Sequence, residues 1–390
     1  MSLTACPACH SERLVPFYHA GDVPVHTTLL MPTRQAALDY PKRPLELAWC
    51  EQCGFICNWR FEAGMQEYSR QCEESQGCSP TFNRWSQALT ARLVEQYGIR
   101  GRQVLEIGCG KGEFLAGLCQ AGDNEGIGYD PAFVPGRLPR EVAGRLEFRT
   151  RMWDADCGLQ GADVVVCRHT LEHIPGVRDF LGAVLEATAG RADTLLFFEV
   201  PDTTRILENA AFWDIYYEHC AYFTVASLTR LFRSVGFDVL ESWLGYDEQY
   251  ILLLARPAAG EVKPGQDDLA VPDSAPVESF RKRYPVVHEK WAALLEASIS
   301  QGQEVVLWGG GSKAAAFLNR LDQHGAVSRV IDINPNKHQA FMPGTGQEVV
   351  GPDTLVDAAA DTIIAMNPVY LAEIRQVLDT LQCRAELLAL

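Results

Sequence analysis

The sequence predicts an α/β protein of more than one domain, and three observations support this prediction. The chain has 390 residues, more than the roughly 100–200 residues of an ordinary single domain. A strand-like segment followed by a glycine turn and a helix-like segment occurs twice, beginning at Gln103 and again at Val305. Two close cysteine pairs near the start indicate a further, metal-binding module.

Composition and charge narrow the class of protein and of partner. Hydrophobic residues make up 47% of the chain and charged residues 22%, as expected of packed globular domains. The formal net charge of −16 would repel a phosphate backbone, so we expect no nucleic-acid partner. No run of about 20 apolar residues occurs, and the start lacks the pattern of a signal peptide. We therefore expect a cytoplasmic protein with no membrane partner and with reduced cysteines.

Residues 1–75 are predicted to form a zinc-binding module. Cys6-x-x-Cys9 and Cys50-x-x-Cys53 each place two thiolates in one tight knuckle, and together the knuckles can supply a tetrahedral site. Such a site has no open coordination position, so we expect zinc to stabilise the fold rather than to take part in chemistry. Two coincidental pairs, or a single redox pair, are the alternatives.

Residues 76–257 are predicted to form a cofactor-binding domain. Apolar residues at helical spacing from 81 to 97 lead into a strand and then into a turn that contains Gly108 and Gly110. A glycine turn lets the backbone approach a ligand closely, and the following helix offers free N–H groups at its start. By itself, this turn fits a dinucleotide site and an S-adenosylmethionine site equally well.

Three further features favour S-adenosylmethionine. Glu106 precedes the glycines, where a carboxylate suits the cationic groups of a sulfonium ligand better than a pyrophosphate. Asp130 ends the next strand-like segment and is placed to accept hydrogen bonds from ribose hydroxyls. A third apolar strand leads to Arg168 and His169, at the carboxyl edge where open α/β sheets bind their ligands.

This combination resembles the class I methyltransferases, which implies a Rossmann-like fold that binds S-adenosylmethionine. The resemblance implies cofactor contacts by residues on successive loops, namely Glu106, Gly108, Gly110, Asp130, Trp153, Asp154, Arg168 and His169. Among them, Trp153 and Asp154 would lie near the adenine. Arg168 and His169 would border the methyl group. His173, nearby in the sequence, is interpreted as a hydrogen-bonded scaffold residue rather than as a catalyst.

Residues 212–223 are dense in acid–base groups. Tyr216, Glu218 and His219 lie here among aromatic residues that could exclude water and shift pKa values. His219 suits a general base, because the unperturbed pKa of imidazole is about 6.5. The alternative is a buried aromatic segment in which Glu218 and His219 only satisfy the backbone.

The chain combines zinc knuckles, a cofactor domain, the Tyr-x-Glu-His run and a C-terminal α/β domain. In this combination it resembles the sugar C-methyltransferases of deoxysugar pathways, and the resemblance covers nearly the whole chain. The resemblance implies a nucleotide-linked 4-keto sugar that loses a proton beside its ketone, giving an enolate that attacks the methyl group. His219 would be the base, Glu218 its partner, and Tyr216 a hydrogen-bond donor to the oxyanion.

The sequence departs from this family at two places. Tyr217 stands where the family's run has a histidine. The family's lid over the cofactor, rich in Tyr and Ser, is matched loosely by residues 68–79, through Tyr68 and through Ser75 or Ser79. Of these lid residues, Tyr68 is the one assigned to the substrate.

Residues 258–277, rich in Pro, Asp, Gly and Ala, are predicted to be a linker, and residues 278–390 a Rossmann-like C-terminal domain. The resemblance implies that Ser312 and Lys313, in its glycine turn, lie near the phosphates of an activated sugar. Asn367 would face the same crevice. A dinucleotide site and a purely structural domain are the alternatives.

The predicted function is C-methylation of a nucleotide-activated sugar. The predicted enzyme is an α/β protein of class I methyltransferase fold, with an N-terminal four-cysteine zinc module and a C-terminal Rossmann-like domain. One alternative is O- or N-methylation of a sugar or another small metabolite by the same base. Another is a non-catalytic, zinc-containing binding protein.

Overall fold

The computed structural model describes residues 3–139, 144–189, 191–262, 264–265, 270–322, 325–357 and 360–390. The strands are β1 Leu14–Pro24, β2 Lys42–Cys50, β3 Ile56–Asn58, β4 Gln103–Ile107, β5 Glu125–Tyr129, β6 Leu146–Arg149, β7 Val164–Arg168, β8 Leu195–Pro201, β9 Ala221–Tyr222, β10 Phe237–Gly245, β11 Tyr250–Pro257, β12 Val305–Trp308, β13 Val327–Ile331, β14 Val349–Val350, β15 Thr362–Ala365 and β16 Glu386–Ala389. The α-helices are α1 Arg34–Leu38, α2 Pro80–Gln96, α3 Glu113–Gly122, α4 Val177–Ala187, α5 Thr203–Asn209, α6 Val225–Val235, α7 Ala275–Ser300, α8 Ser312–Leu321, α9 Thr354–Asp357 and α10 Leu371–Thr380.

The N-terminal module is built on an antiparallel sheet with the strand order β1-β2-β3-β9. Its first three strands come from the first 58 residues, whereas β9 is contributed by Ala221 and Tyr222. The sheet is therefore completed by the segment that carries the predicted acid–base cluster. Sequence periodicity does not reveal such a two-residue strand, because its pairing partner lies more than 160 residues away.

The second sheet has the strand order β10-β11-β8-β7-β4-β5-β6. Strands β4 to β8 run parallel, and β11 is antiparallel to both of its neighbours. One reversed strand among six that run in the same direction is the arrangement of the class I methyltransferases, so the predicted fold is confirmed. The strand order reverses between β4 and β7, where open α/β sheets form their ligand crevice.

The third sheet has five parallel strands in the order β14-β13-β12-β15-β16. Helix α8 follows β12 directly through the second glycine turn. This arrangement confirms the predicted Rossmann-like fold of the C-terminal part. Its own crevice lies between β12 and β15, at the carboxyl ends of the strands.

The acid–base segment lies between the N-terminal sheet and the C-terminal helices. Phe212 stacks on Phe317 of α8 with 6.5 Å between ring centroids, and it meets the edge of Tyr284 of α7 at 5.8 Å. Tyr217 is fully buried against Phe61 of the N-terminal module. All three parts of the chain therefore position this segment.

The helix that leads into the third sheet begins earlier than the sequence indicates. Helix α7 starts at Ala275, so the last residues of the predicted linker, 258–277, are helical. Pro276 occupies the first turn of α7, where a missing N–H costs no hydrogen bond. Among the described residues, no helix is both long and apolar enough to cross a membrane.

Candidate active site

A cavity of about 1210 Å³ opens between the carboxyl edges of the two parallel sheets. Its lining comes from all three parts of the chain, beginning with His26 of the N-terminal module and ending with Glu373 of α10. Apart from Asp154, every predicted cofactor, catalytic and substrate residue lines this cavity. The structure therefore brings those residues together, although their sequence positions span most of the chain.

The glycine turn after β4 forms one wall of the cavity. Gly108 and Gly110 have φ angles of 71° and 52°, in the left-handed region that favours glycine. A Cβ atom on Gly108 would collide with the Thr170 side chain, and one on Gly110 would lie 2.8 Å from Glu74 Oε1. The two positions therefore require glycine both for backbone conformation and for close packing.

Asp130, at the end of β5, is held by backbone donors. Its Oδ2 accepts a hydrogen bond from Gly110 N at 2.8 Å, and its Oδ1 accepts one from Ala132 N at 2.6 Å. Burial raises the pKa of Asp130, whereas these backbone hydrogen bonds act to lower it. Each oxygen keeps a second lone pair, so the carboxylate is oriented for a ligand with two neighbouring hydroxyls.

Glu106, the penultimate residue of β4, is only 2% exposed. Among the described residues, none forms a hydrogen bond with its Oε2 atom. Burial raises the pKa of Glu106 to about 8, although the positive charge of Arg168 acts in the opposite direction. A buried carboxyl with one oxygen left without a hydrogen bond among the described residues is a fitting receptor for the cationic methionine end of S-adenosylmethionine.

A network of charged side chains lies at the ends of β7 and β8. Arg168 Nε donates to Glu199 Oε2 at 2.5 Å, and its guanidinium lies 3.9 Å from the ring centroid of Phe114. His169 lies between Glu199 and Glu172, with N···O distances of 3.3 and 3.7 Å. Burial lowers the pKa of His169, but the two carboxylates outweigh burial and raise it to about 9. The network therefore places an imidazolium in the cavity wall at neutral pH.

Residues 68–79, here called the lid segment, cover the glycine turn. The Tyr68 hydroxyl lies 3.0 Å from His173 Nδ1, which agrees with the interpretation of His173 as a scaffold residue. The buried Lys111 Nζ donates to the Cys72 carbonyl at 2.7 Å. These bonds connect the lid segment with both the cofactor turn and the loop after β7.

The two lid serines are bonded to neighbouring helices. Ser75 Oγ donates to Glu113 of α3 at 2.8 Å. Ser79 caps the start of α2 and also donates to Glu373 of α10 at 2.8 Å. The serines therefore connect the lid segment with the cofactor domain and the C-terminal domain.

The carboxylate of Glu218 is buried at the centre of the cavity wall, where 2% of the residue is exposed. Its Oε1 accepts hydrogen bonds from the backbone N–H of Thr27, at 2.9 Å, and from the Thr27 hydroxyl. Burial raises the pKa of Glu218 to about 7, although the Thr27 hydrogen bonds favour the charged form. Glu218, rather than His219, is the member of the cluster whose pKa lies near neutrality.

The imidazole of His219 is surrounded by other rings. It meets the edges of His173 and Tyr216, each with 4.7 Å between centroids. Burial lowers the pKa of His219 to about 3, and positive charge on His169 adds to this effect. The sequence-based argument that His219 titrates near neutrality is therefore wrong, and the imidazole is neutral throughout the physiological range.

Tyr216 is part of a second buried network. Its hydroxyl donates to Asp214 Oδ1 at 3.0 Å, and Lys313 Nζ donates to the same oxygen. Arg205 Nη1 lies 3.5 Å from the other oxygen of Asp214. Lys313 therefore reaches the cavity but is already engaged with a carboxylate.

Asn367 is engaged in a similar way. Its amide exchanges two hydrogen bonds with the amide of Gln249, at 3.1 and 2.9 Å. Ser312, in the glycine turn, lies with its Oγ 2.7 Å from the Thr27 hydroxyl. The three predicted substrate residues of the C-terminal domain thus line the cavity, but each also bonds to another part of the chain.

The geometry of this cavity agrees with comparisons with known families. Residues 81–242 match a family model described as a methyltransferase domain. Residues 257–386 match a model described as a C-methyltransferase C-terminal domain. A methyltransferase domain is thus followed by a C-methyltransferase C-terminal domain, and the chain is an S-adenosylmethionine-dependent methyltransferase. The predicted methyltransferase class and its S-adenosylmethionine cofactor are confirmed, whereas the sugar substrate and the zinc ion stay predictions.

Individual known proteins are similar to parts of this chain. The C-methyltransferase NovU of Streptomyces niveus is 26% identical over 306 residues, which are 72% of this chain and 70% of NovU. One solved structure that this chain resembles is N,N-8-amino-8-demethyl-D-riboflavin dimethyltransferase from Streptomyces davawensis. Its sequence is 20% identical to this chain, and the TM-score is 0.38. That match covers 45% of this chain and about half, 54%, of the other. Another is magnesium protoporphyrin IX methyltransferase from Synechocystis, whose structure contains S-adenosylhomocysteine. Its sequence is 20% identical to this chain, with a TM-score of 0.35. The match covers 46% of this chain and 84% of the other.

Four cysteines of the N-terminal module form a separate cluster. Cys6 and Cys53 have sulfurs 3.7 Å apart, and Cys9 and Cys50 have sulfurs 3.6 Å apart. All four sulfurs lie within 4.8 Å of one another. With Zn–S bonds of about 2.3 Å, the sulfurs of a tetrahedral site are about 3.8 Å apart, so the geometry fits zinc.

One predicted cofactor residue lies outside the cavity lining, and its contact with the cofactor stays a prediction. Asp154 does not line the cavity, and more than half of its side chain is exposed. Its Oδ1 accepts a hydrogen bond from Cys157 N at 3.2 Å and caps the short helical turn at 155–157. The neighbouring Trp153 is 8% exposed and does line the cavity.

Three residues that contribute to the site were missed by the sequence analysis. Thr27 and His26 come from the N-terminal module, and Glu199 lies two residues before the end of β8. Only Glu199 carried a local signal, because it stands at the carboxyl end of a buried parallel strand, as Arg168 does. Thr27 reaches a residue 191 positions away, and no local pattern indicates such a contact.

The family departure at Tyr217 has a structural explanation. Its hydroxyl accepts a hydrogen bond from Glu62 N at 2.9 Å, and its ring packs on Phe61. Tyr217 therefore points into the N-terminal module rather than into the cavity. This substitution leaves the cavity chemistry to its sequence neighbours, Tyr216 and Glu218.

Proposed function

We propose that this methyltransferase methylates a carbon beside the ketone of a nucleotide-activated keto sugar. One observation carries the proposal: Tyr216, Glu218 and His219 line the same cavity as the cofactor turn and the second glycine turn. An O- or N-methyltransferase needs one base near the methyl group. Carbon methylation needs in addition a group that stabilises an enolate, and the Tyr216 hydroxyl would do so by exchanging its hydrogen bond to Asp214 for one to the enolate oxygen.

The chemistry follows from the properties of the two neighbouring acid–base residues. His219 is neutral at physiological pH, so its ring can accept the proton from the carbon beside the ketone. The resulting imidazolium is unfavourable in so buried a place unless an anion compensates it. Glu218 directly precedes His219 in the chain, and above pH 7 its carboxylate would provide the compensating negative charge. S-adenosylmethionine, when held by Glu106, Gly108, Gly110 and Asp130, would supply an electrophilic methyl group, and its sulfur would keep the electron pair of the broken S–CH3 bond as the new C–C bond forms.

Residues on the two sides of the cavity have separate roles in this proposal. Glu106, Gly108, Gly110 and Asp130 would hold the methyl donor, with Trp153 beside the adenine. The nucleotide of the sugar would lie along the second glycine turn, where Ser312, Lys313 and Asn367 line the cavity and Tyr68 closes it from the lid segment. Lys313 would then exchange its bond to Asp214 for a phosphate oxygen.

We also propose that Cys6, Cys9, Cys50 and Cys53 bind one structural zinc ion. The four-sulfur geometry supports zinc. The predicted role is to hold β2 and β3 in place, since Cys50 ends β2 and Cys53 lies in the turn before β3. Through β3, the zinc would support β9 and the acid–base cluster beside it.

A labelled-methyl transfer assay tests the proposed function. The purified enzyme is incubated with S-adenosylmethionine labelled in its methyl group and with a panel of nucleotide-linked 4-keto and 4-hydroxy deoxysugars. We expect transfer to a 4-keto sugar and none to the matched 4-hydroxy sugar, because only the ketone acidifies the neighbouring C–H. Equal transfer to both sugars would indicate O-methylation and would contradict the proposal.

A further inference from the structure

The Glu218 carboxylate is held by two parts of the chain that lie far from it in sequence. Thr27 Oγ1 donates to Glu218 Oε1 and lies 2.7 Å from Ser312 Oγ. A hydroxyl has a single hydrogen, and the carboxylate can only accept. When Glu218 is ionised, Thr27 therefore donates to Glu218, and Ser312 donates to Thr27. The three residues form a chain of hydrogen bonds from the C-terminal domain to the acid–base cluster.

This hydrogen-bond chain is closed off from solvent at its inner end. Thr27 is 5% exposed and Glu218 is 2% exposed. The second oxygen, Glu218 Oε2, is buried and has no hydrogen-bond partner among the described residues. Thr27 thus provides two hydrogen bonds to the Glu218 carboxylate, one from its backbone and one from its side chain. In a low-dielectric environment, loss of one such bond has a large effect on the charged form.

The residue next to Ser312 makes a parallel connection. Lys313 Nζ donates to Asp214, and Asp214 accepts the hydroxyl hydrogen of Tyr216 at 3.0 Å. Two consecutive residues of the second glycine turn therefore each bond to a side chain that holds a member of the acid–base cluster. A turn that only bound phosphate would need neither Thr27 nor Asp214 between itself and the cluster.

We propose that Thr27 is a positioning residue for Glu218 and that Ser312 acts on the reaction through Thr27. The N-terminal module thus contributes a side chain to the catalytic machinery in addition to its zinc cluster. The proposal rests on the proposed function for the role of Glu218 in proton transfer. It does not depend on which sugar is methylated.

The pKa of Glu218 differs clearly from the pKa values of the nearby tyrosines and histidines. The tyrosines that sense its charge are Tyr40, Tyr68, Tyr216 and Tyr222. The same cavity is also lined by the imidazoles of His26, His173 and His219 and by the ammonium group of Lys313. Burial raises the pKa of each tyrosine above the neutral range and lowers the pKa of each of these three imidazoles to about 4 or less. Glu106, elsewhere in the cavity, has a pKa raised by burial to about 8, so the Glu218 signal must be assigned with a variant.

Infrared difference spectroscopy across a pH titration tests the proposal without a substrate. The carboxylic acid band that disappears in Glu218→Gln identifies Glu218. Thr27→Val keeps the shape of Thr27 but removes its hydroxyl, so the charged form loses a hydrogen bond. We expect the apparent pKa of Glu218 to rise by about one unit. Thr27→Ser, which keeps the hydroxyl, should titrate as the wild type does.

Two further variants make the test specific. Thr28→Val is the matched control, because the Thr28 hydroxyl contacts His26 and not Glu218. It should leave the Glu218 titration unchanged. Ser312→Ala removes only the outer donor and should raise the apparent pKa by less than Thr27→Val does. Ser312→Ala also serves if Thr27→Val fails to fold, since Ser312 lies at the partly exposed end of the hydrogen-bond chain.

Turnover then separates this proposal from the proposed function. With the 4-keto sugar that accepts methyl, Thr27→Val should lower kcat about tenfold with little change in KM, and Thr27→Ser should restore kcat. An unchanged Glu218 titration in Thr27→Val, or the same shift in Thr27→Ser, would overturn the positioning role. If no sugar accepts methyl but the titration shifts as expected, the proposed function fails and the positioning of Glu218 by Thr27 stands.

Discussion

At the scale of single residues, the cavity is marked by buried carboxyl groups. Burial raises the pKa of Glu218 to about 7 and that of Glu106 to about 8. Their charged forms are unfavourable in the folded chain, so each of them reduces stability when it ionises. Such residues are retained where a ligand or a reaction needs them.

Glu106→Gln should make the fold more resistant to alkaline pH. The folded-state pKa of about 8 lies above the unfolded value of about 4.3. The stability that depends on the neutral carboxyl is therefore fully present below about pH 4.3 and is lost as pH rises through 8. Relative to the wild type, the variant should gain on the order of 1 kcal/mol or more in the free energy of unfolding between pH 6 and pH 9.

Urea unfolding of both proteins at the two pH values measures this difference. The exposed Glu95 of α2 offers the control Glu95→Gln, which should not alter the pH dependence. A Glu106→Gln variant that follows the wild type at every pH would show that Glu106 is not an unfavourably buried carboxyl.

Asp130→Ala should weaken S-adenosylmethionine binding by at least about 1 kcal/mol, or roughly fivefold. The carboxylate would no longer accept the ribose hydroxyls, and Gly110 N and Ala132 N would lose their acceptor. Calorimetric titration measures the loss. Asp154→Ala is the matched control, and its affinity should equal that of the wild type because Asp154 lies outside the cavity. Weaker binding in Asp154→Ala than in Asp130→Ala would instead assign the ribose contact to Asp154.

His219→Asn should reduce turnover by about 10²–10⁴-fold while S-adenosylmethionine still binds. Glu218→Gln should reduce turnover too, and it should remove the rise in rate near pH 7 that ionisation of Glu218 gives the wild type. The control is Tyr217→Phe, which changes the residue between Tyr216 and Glu218. The Tyr217 side chain points away from the cavity, so the turnover of this variant per folded molecule should be close to normal. Half of the wild-type rate remaining in His219→Asn would rule it out as the base.

At the scale of elements, the sequence was sufficient where a pattern is local. Helix α2 spans Pro80–Gln96, as the apolar spacing from 81 to 97 indicates, and β4, β7 and β12 follow their apolar runs. The pairing of β9 with β3 was not predictable, because a two-residue strand has no periodicity. The zinc knuckles were predictable as sequence pairs, whereas their connection to the acid–base cluster through β3 and β9 was not.

Cys50→Ser should lower the zinc content below one ion per chain and destabilise the N-terminal sheet, because one of four thiolates is lost. Metal analysis and thermal unfolding measure both effects. Cys57→Ser provides the control, since Cys57 is a buried thiol of the same sheet that lies outside the four-sulfur cluster. It should keep its zinc. Full zinc content in Cys50→Ser would contradict the ligand assignment.

At the scale of the whole molecule, one cavity joins three parts of the chain. Sequence reasoning found the cofactor turn, the acid–base cluster and the second glycine turn separately, because each carries its own motif. It could not find Thr27, whose importance depends on contacts with Glu218 and Ser312, 191 and 285 residues away. It also gave His219 an ordinary pKa, since the burial that lowers that pKa is a property of the assembled cavity.

The position of the transferred methyl group tests the central claim most directly. S-adenosylmethionine with a ¹³C-labelled methyl group is incubated with the accepted nucleotide-linked 4-keto sugar, and the product is examined by NMR. The account predicts a ¹³C–¹³C coupling between the new methyl group and a labelled ring carbon beside the ketone. A methyl group bonded to oxygen or nitrogen, with no coupling to that carbon, would contradict it.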